Sequence, residues 1–304
     1  MANYSLESEA GGSESRDPLT PKVHGQEHFC NLCQRHRFCA LLYRVQGQEI
    51  VRCNECQLVF VAPEALSASE LTRLYSQEYF EGGLADGYTD YSASEETLRR
   101  QARRLLRRLR RYQPDGTLLE LGCAYGFFLL EARAFFEAKG VEISTFAAQQ
   151  ARRRGLDVLA GDFQALSFPS GSCSVVCLFD CIEHLADPFA YLQKINSALR
   201  PQGIVALTTG DICSLYARLS GRRWRLMTPP QHLFFFSKTT LTSMLEKAGF
   251  QVLEVSYPWK IVPWRLVLYQ LSPRLKAALG PIGRLSLGLY ANLFDAMFVI
   301  ARKV

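Results

Sequence analysis

From residue 117 onward, apolar runs of strand length alternate with segments of helical period, and that alternation predicts a mainly parallel sheet with helices on both faces. Strands are expected at 117–121, 140–143, 156–160, 174–179 and 203–208, with helices over 127–138, 146–154 and 188–199. Ser237 is a good N-cap for a further helix reaching 248, and 251–257 and 296–302 read as the last two strands. The expectation is an α/β fold with a doubly wound, mostly parallel, seven-stranded sheet. Ligands in such sheets bind beyond the carboxyl ends of the strands, near the point where the strand order reverses. With 48 % hydrophobic and 21 % charged residues, the 304-residue chain has neither a disordered nor a coiled-coil composition. No apolar run approaches the ~18 residues a membrane-spanning helix needs.

Ahead of this region stand two matched pairs, Cys30-x-x-Cys33 and Cys53-x-x-Cys56, separated by 19 residues. Two tight turns so spaced present four thiolates tetrahedrally to one zinc ion. The segment between them has β character, and a unit this small can hardly bury enough surface without a metal. A small N-terminal zinc ribbon is therefore expected over 25–66. Its zinc is structural, since four thiolates leave no position for water. Cys39, His28 and His36 are nearby alternatives to a cysteine ligand. Ten cysteines of this kind fit a reducing compartment better than a disulfide framework, which places the protein in the cytoplasm.

Residues 1–24 combine Glu7, Glu9, Glu14 and Asp17 with Ser and Gly, lack a basic start and an apolar core, and read as a disordered, solvated tail. Residues 67–112 read as a helical linker or lid, with a helix over 67–75, an aromatic cluster at Tyr75, Tyr79 and Phe80, and a loop rich in Gly and Tyr. Between Glu95 and Tyr112 lie eight arginines against two glutamates, an excess equal to the whole net charge of +6. Leu98, Ala102, Leu105, Leu106, Leu109 and Tyr112 recur at helical spacing, so they form a buried stripe with the arginines around it. Such a face is either solvated or a site for an anionic partner.

The turn after the first strand of the main domain reads Glu120-Leu121-Gly122-Cys123-Ala124-Tyr125-Gly126. Its small residues let the backbone approach a ligand, but a dinucleotide fingerprint needs glycine at 124 and 127, where Ala and Phe stand. An acid before the first glycine suits a ligand bearing an ammonium and a sulfonium instead. Glu142 follows Gly122 by 20 residues at the end of the second strand, where a carboxylate can accept both hydroxyls of a ribose.

On these residues the chain resembles the class I S-adenosylmethionine-dependent methyltransferases, of the kind with a cysteine-rich zinc-binding N-terminal region. Glu120, Gly122 and Gly126 match the first family motif, with Cys123 inside the same loop and Ala124 where the middle glycine usually stands. The resemblance implies a Rossmann-like methyltransferase domain over 113–304, with its last two strands antiparallel to one another. It implies a ribose contact for Glu142, an adenine contact for Asp162 and Phe163, and a place near the donor methionine group for Asp180. The segment around Pro229, Pro230 and His232 resembles the family's acceptor-lining stretch. His232, with a pKa near neutrality, is the first candidate base, followed by His184 and Tyr79.

About forty residues, 258–294, exceed a minimal fold; they are basic and rich in aromatic and aliphatic side chains, as in a lid, a dimer contact or a peripheral membrane contact. The function so implied is transfer of a methyl group from S-adenosylmethionine to an oxygen or carbon of a small or carrier-linked metabolite, with sugars among the candidates. The alternatives are RNA methylation, using the zinc knuckle and the arginine helix as platform, and a non-catalytic binding scaffold.

Overall fold

The computed structural model describes residues 25–62, 80, 91–258, 260–263, 288–291 and 294–304. The expected tail at 1–24, the helix at 67–75 and Tyr79 lie outside the described residues, as does most of 258–294.

The cysteine pairs sit on the turns of an antiparallel meander made of β1 (Gln26–Cys30), β2 (Arg35–Val45), β3 (Gln48–Cys53) and β4 (Val59–Val61). Next comes α1 (Glu95–Leu109), with Glu95 and Glu96 in its first turn and Arg107 and Arg108 in its last, the arrangement that the helix dipole favours. Ala102, Leu106 and Leu109 are its buried stripe.

The main domain follows as β5 (Thr117–Leu121), α2 (Phe127–Ala132), β6 (Glu137–Glu142), α3 (Thr145–Arg153), β7 (Asp157–Ala160), β8 (Cys173–Phe179), α4 (Pro188–Ala198), β9 (Leu199–Gly210) and α5 (Leu215–Ser220). The chain closes with β10 (Phe234–Phe235), α6 (Lys238–Lys247), β11 (Phe250–Ser256), β12 (Lys260–Pro263), β13 (Gly288–Ala291) and β14 (Ala296–Lys303). Seven strands form one sheet in the order β11-β14-β9-β8-β5-β6-β7. Only β14 runs against its neighbours, returning between β9 and β11 after the last crossover. This is the doubly wound, mostly parallel sheet expected, and its order reverses between β5 and β8. On the central strand Val175, Val176, Cys177 and Leu178 are wholly buried, as strands covered on both faces must be.

Some boundaries differ from the sequence expectation: β9 runs over Leu199–Gly210 where the sequence predicts 203–208, and β6 starts ahead of 140. The helix expected to reach residue 138 stops at Ala132, and β6 begins at Glu137. Helical periodicity continues through Ala138, but Glu137, Ala138 and Lys139 are recruited into the parallel ladder opposite Thr117, Leu118 and Leu119. A long-range ladder overrides local propensity there.

The ribbon is not separate from the sheet domain. β10 adds to it as a fifth strand, pairing Phe234 with Phe60 and Phe235 with Val59. Ile50, Val51, Leu58 and Phe60 belong to the same apolar core as Leu178, Leu192, Phe236 and Met244. Lys247 Nζ donates to the Leu32 carbonyl at 3.0 Å, tying α6 to the first cysteine turn. β12 and β13 pair antiparallel at the two ends of the 258–294 segment.

Candidate active site

A cleft of about 970 Å³ opens at the carboxyl ends of β5 to β8. Four acids from four adjacent strand ends line it: Glu120, Glu142, Asp162 and Asp180. The loop after β5 turns on three left-handed residues, Gly122, Ala124 and Gly126, with φ of 69°, 48° and 77°. A Cβ on Gly126 would stand 2.2 Å from Leu156 Cδ1, so a side chain there would displace that leucine, and the left-handed φ itself favours glycine. Ala124 carries its methyl group in a conformation that costs an L-residue roughly 1–2 kcal/mol. What holds it is Glu142: the Ala124 N–H donates to Oε2 at 2.8 Å, and the Ser144 N–H donates to Oε1 at 2.8 Å. Burial pushes the Glu142 carboxyl up, and these N–H groups pull the other way.

Glu120 is the electrostatic anomaly of the cleft. It is fully buried, and among the described residues its Oε2 has no hydrogen-bond partner. Burial, with the charge of Glu142 added, pushes its carboxyl well above the usual carboxylate range. Cys123 turns its thiol into the core, where burial raises its pKa.

Sequence reasoning missed the residues that hold the other two acids. Asp162 Oδ1 accepts the Tyr191 hydroxyl and the Gln164 N–H. Lys194 Nζ donates to the carbonyls of Phe163, Gln164 and Leu166 at 2.6–2.7 Å, pinning the loop after β7. Phe163 is buried beside it, 5.1 Å centroid to centroid from Phe168. Asp180 stands in a left-handed conformation, φ 49°, and its Oδ1 accepts the Thr208 hydroxyl at 2.9 Å. Apart from Gln164 and Phe168, these partners lie 28 or more residues away, so no local signal announces them.

The histidines form an edge-to-face pair rather than two independent bases. His184 lines the cleft, with Nδ1 2.8 Å from the Gln231 carbonyl. His232 sits against it, ring centroids 4.6 Å apart, with Nδ1 2.6 Å from the Leu226 carbonyl. The near-neutral pKa expected for His232 is not what its surroundings produce. Burial and then the neighbouring His184 push it down to about 3, and burial also lowers His184. Glu183, His184 and His232 could together offer a metal three ligand atoms within 4.8 Å of one another. Of the aromatic cluster, Phe80 lines the cleft with Tyr91, and both pack on the loop and helix after β5: Phe80 stacks on Tyr125 and Tyr91 on Phe127 at 5.4 and 5.3 Å.

Cys30, Cys33, Cys53 and Cys56 converge with all four sulfurs within 4.8 Å of one another. Cys30 and Cys56 are 3.4 Å apart, Cys33 and Cys53 3.9 Å, close to the roughly 3.8 Å edge of a tetrahedron with metal–sulfur bonds of about 2.3 Å. The Cys56 thiol holds Cys30 down to about 5, and burial pushes Cys33 up to about 12. Cys39 turns aside to the Arg37 carbonyl, and His36 is exposed against the Phe29 ring, so neither joins the set.

A sheet of this order, with acids at successive strand ends around a glycine-bearing loop, defines a doubly wound α/β fold of the nucleotide-binding kind. Residues 94–255 match the methyltransferase-domain family, and the chain belongs to that family. A Mycolicibacterium smegmatis protein described as an S-adenosylmethionine-dependent methyltransferase is 29 % identical over 138 residues, 44 % of this chain and 52 % of that one. The ubiquinone biosynthesis O-methyltransferase of Caulobacter vibrioides is 34 % identical over 101 residues, 31 % of this chain and 40 % of that one. The chain thus spans about half the length, or less, of these curated relatives. Two solved structures share the fold. One is the methyltransferase in a complex with the Haloferax volcanii Trm112 methyltransferase activator (16 % identity, TM-score 0.54, 77 % of this chain and 97 % of that one). The other is an Archaeoglobus fulgidus S-adenosylmethionine-dependent methyltransferase (19 %, TM-score 0.51, 70 % and 99 %).

Proposed function

We propose that this protein transfers a methyl group from S-adenosylmethionine to an oxygen or carbon of a small or carrier-linked metabolite. The observation that carries the reading is the convergence of Glu120, Glu142, Asp162 and Asp180 on one cleft at the strand ends. The fit to the donor rests on Glu120: a buried carboxyl oxygen without a partner among the described residues is where a ligand ammonium is stabilised, and a neighbouring cation would draw the proton off. Glu142 keeps lone pairs for a pair of ribose hydroxyls while both oxygens already hold backbone N–H groups. Asp162, with Phe163 beside it, suits an adenine, and Asp180 faces the reacting end.

When bound, the donor supplies an electrophilic methyl group on a sulfonium. The chain's own contribution is alignment of the two reactants in one cleft. Where the acceptor must lose a proton, His184 is the residue of this site to take it. It lines the cleft and burial keeps it neutral, while His232 packs behind it as a positioning residue. Tyr79 keeps its place as a further candidate base.

We assign one structural zinc to Cys30, Cys33, Cys53 and Cys56, with the ribbon over 25–66 and the methyltransferase domain over 113–304. A thiolate set of this kind survives in a reducing compartment, which supports a cytoplasmic location. No described helix is long and apolar enough to cross a membrane.

Native mass spectrometry of the full chain tests donor and metal together. One zinc and one S-adenosylmethionine per chain are expected. Zinc without any donor, confirmed by calorimetry at millimolar ligand, would move the assignment to a non-catalytic scaffold.

A further inference from the structure

Helix α1 sorts its arginines into two sets. Arg99, Arg100 and Arg103 pair with Glu95, Glu96 and Glu131, and Arg110 lies 3.6 Å over the Phe135 ring. Arg104, Arg107 and Arg108 stand at positions i, i+3 and i+4 on one face of α1, Arg111 follows in the turn just past its end at Leu109, and all four line the cleft that holds the four acids. Arg108 is fixed to the edge strand, donating to Ser256 Oγ at 2.7 Å and to Glu254 Oε1 at 3.5 Å. Glu254 also accepts from Tyr112 and Ser256. Arg107 and Arg111 are exposed and meet no carboxylate among the described residues.

The cleft is therefore polarised. Acids occupy its floor at the strand ends, and guanidinium groups from α1 and the turn after it line one wall. A donor with a sulfonium and an ammonium needs no such row. A single carboxylate would use one bidentate arginine, whereas two linked phosphoryl groups have the charge and the spread to engage several.

Resting on the methyltransferase reading, we propose that the methyl acceptor carries a diphosphate group and that Arg107, Arg108 and Arg111, with Arg104, seat it against α1. The diphosphate belongs to either a nucleotide-linked or a lipid-linked metabolite. The acidic floor leaves the uncharged part of the acceptor to approach the donor.

The test is calorimetry on the full zinc-loaded chain with inorganic pyrophosphate, alone and with S-adenosylhomocysteine present. Pyrophosphate is expected to bind, and Arg107→Gln/Arg111→Gln to weaken it at least tenfold. Arg100→Gln/Arg133→Gln, which removes the same charge elsewhere, should change it less than twofold. S-Adenosylmethionine affinity in the first double variant should stay within twofold of the parent. Tighter capture of uridine diphosphate than of pyrophosphate assigns a nucleotide carrier, and tighter capture of geranyl diphosphate a lipid one. The proposal is overturned if pyrophosphate does not bind, if both double variants weaken it equally, or if a short RNA oligonucleotide binds through the same arginines while pyrophosphate does not. Loss of S-adenosylmethionine binding in the parent would instead overturn the methyltransferase reading, an outcome the pyrophosphate titration does not touch.

Discussion

Asn31, between the first two cysteines, donates from Nδ2 to the Asp187 carboxylate at 2.7 Å and accepts the Phe189 N–H on Oδ1 at 3.0 Å. Asp187 is the N-cap of α4, taking the Ala190 N–H at 3.0 Å, and it lines the cleft. One amide thus couples the cysteine turn to the first turn of a helix at the site. Asn31→Ala leaves a buried N–H unpaired and removes a bond to a charged acceptor, at a cost of about 2–3 kcal/mol. Urea unfolding followed by fluorescence should show that loss, and the midpoint should be restored in part by Asn31→Asp only at acid pH, where the introduced carboxyl is neutral.

Because the ribbon shares its core with the sheet and borrows β10 from it, a metal held by the four cysteines would stabilise the sheet domain together with the ribbon. Chelation, or Cys30→Ser with Cys56→Ser, is expected to lower the single thermal transition by more than 10 °C rather than to melt a separate ribbon. Structural zinc sites of this type are worth about 10–16 kcal/mol apparent in isolated peptides. Calorimetry that resolved two independent transitions, with the higher one unmoved, would contradict this.

Glu142→Ala removes the carboxylate that holds the left-handed Ala124 and the proposed ribose contact together. Donor affinity should fall at least tenfold, equivalent to about 1.4 kcal/mol or more. Ala124→Gly relieves the backbone cost, so in the Glu142→Ala background it should recover part of the affinity, and in the parent it should raise the melting temperature by a few degrees. Equal donor affinity in parent and Glu142→Ala would remove the ribose assignment.

The raised carboxyl of Glu120 makes donor binding proton-linked. In the empty cleft Glu120 holds its proton above the usual carboxylate range, and a bound cation favours the ionised form. Binding should therefore release a proton, and affinity should rise with pH until Glu120 ionises unaided. Calorimetric titrations in two buffers of different ionisation enthalpy give the proton count directly. Glu120→Gln should abolish the release, and a count of zero in the parent would refute the linkage.

His232 supplies a pH dependence of stability with a definite sign. Its folded pKa of about 3 lies below the ordinary 6.5, so between these values the unfolded chain binds the extra proton. The stability from keeping it neutral is complete above pH 6.5 and is lost as pH falls toward 3, with a slope near 1.4 kcal/mol per unit. His232→Gln keeps a donor for the Leu226 carbonyl without titrating. The parent should lose stability relative to that variant between pH 6 and 4.5, as read by denaturant midpoints, and parallel curves would be the contrary result.

The alternation of strands and helices, the cysteine spacing, and the places of Glu120 and Glu142 at strand ends were legible in the chain alone, because each is a local pattern whose period or spacing carries the physics, whereas Asp162 and Asp180 were singled out by the family resemblance. Tertiary structure decided the rest. It ended α2 at Ala132 by drawing Glu137 into a ladder with Thr117, and it joined Phe234 to Phe60, making the ribbon part of the main domain's core. It also buried His232 behind His184, which turned an expected near-neutral base into a neutral packing partner. And it placed four of eight arginines on the wall of the cleft, one of them, Arg108, held by Glu254, while Arg99 and Arg103 turn to Glu131. Desolvation and pairing between segments 20 or more residues apart set most of those outcomes, and neither is encoded in any local window of the sequence.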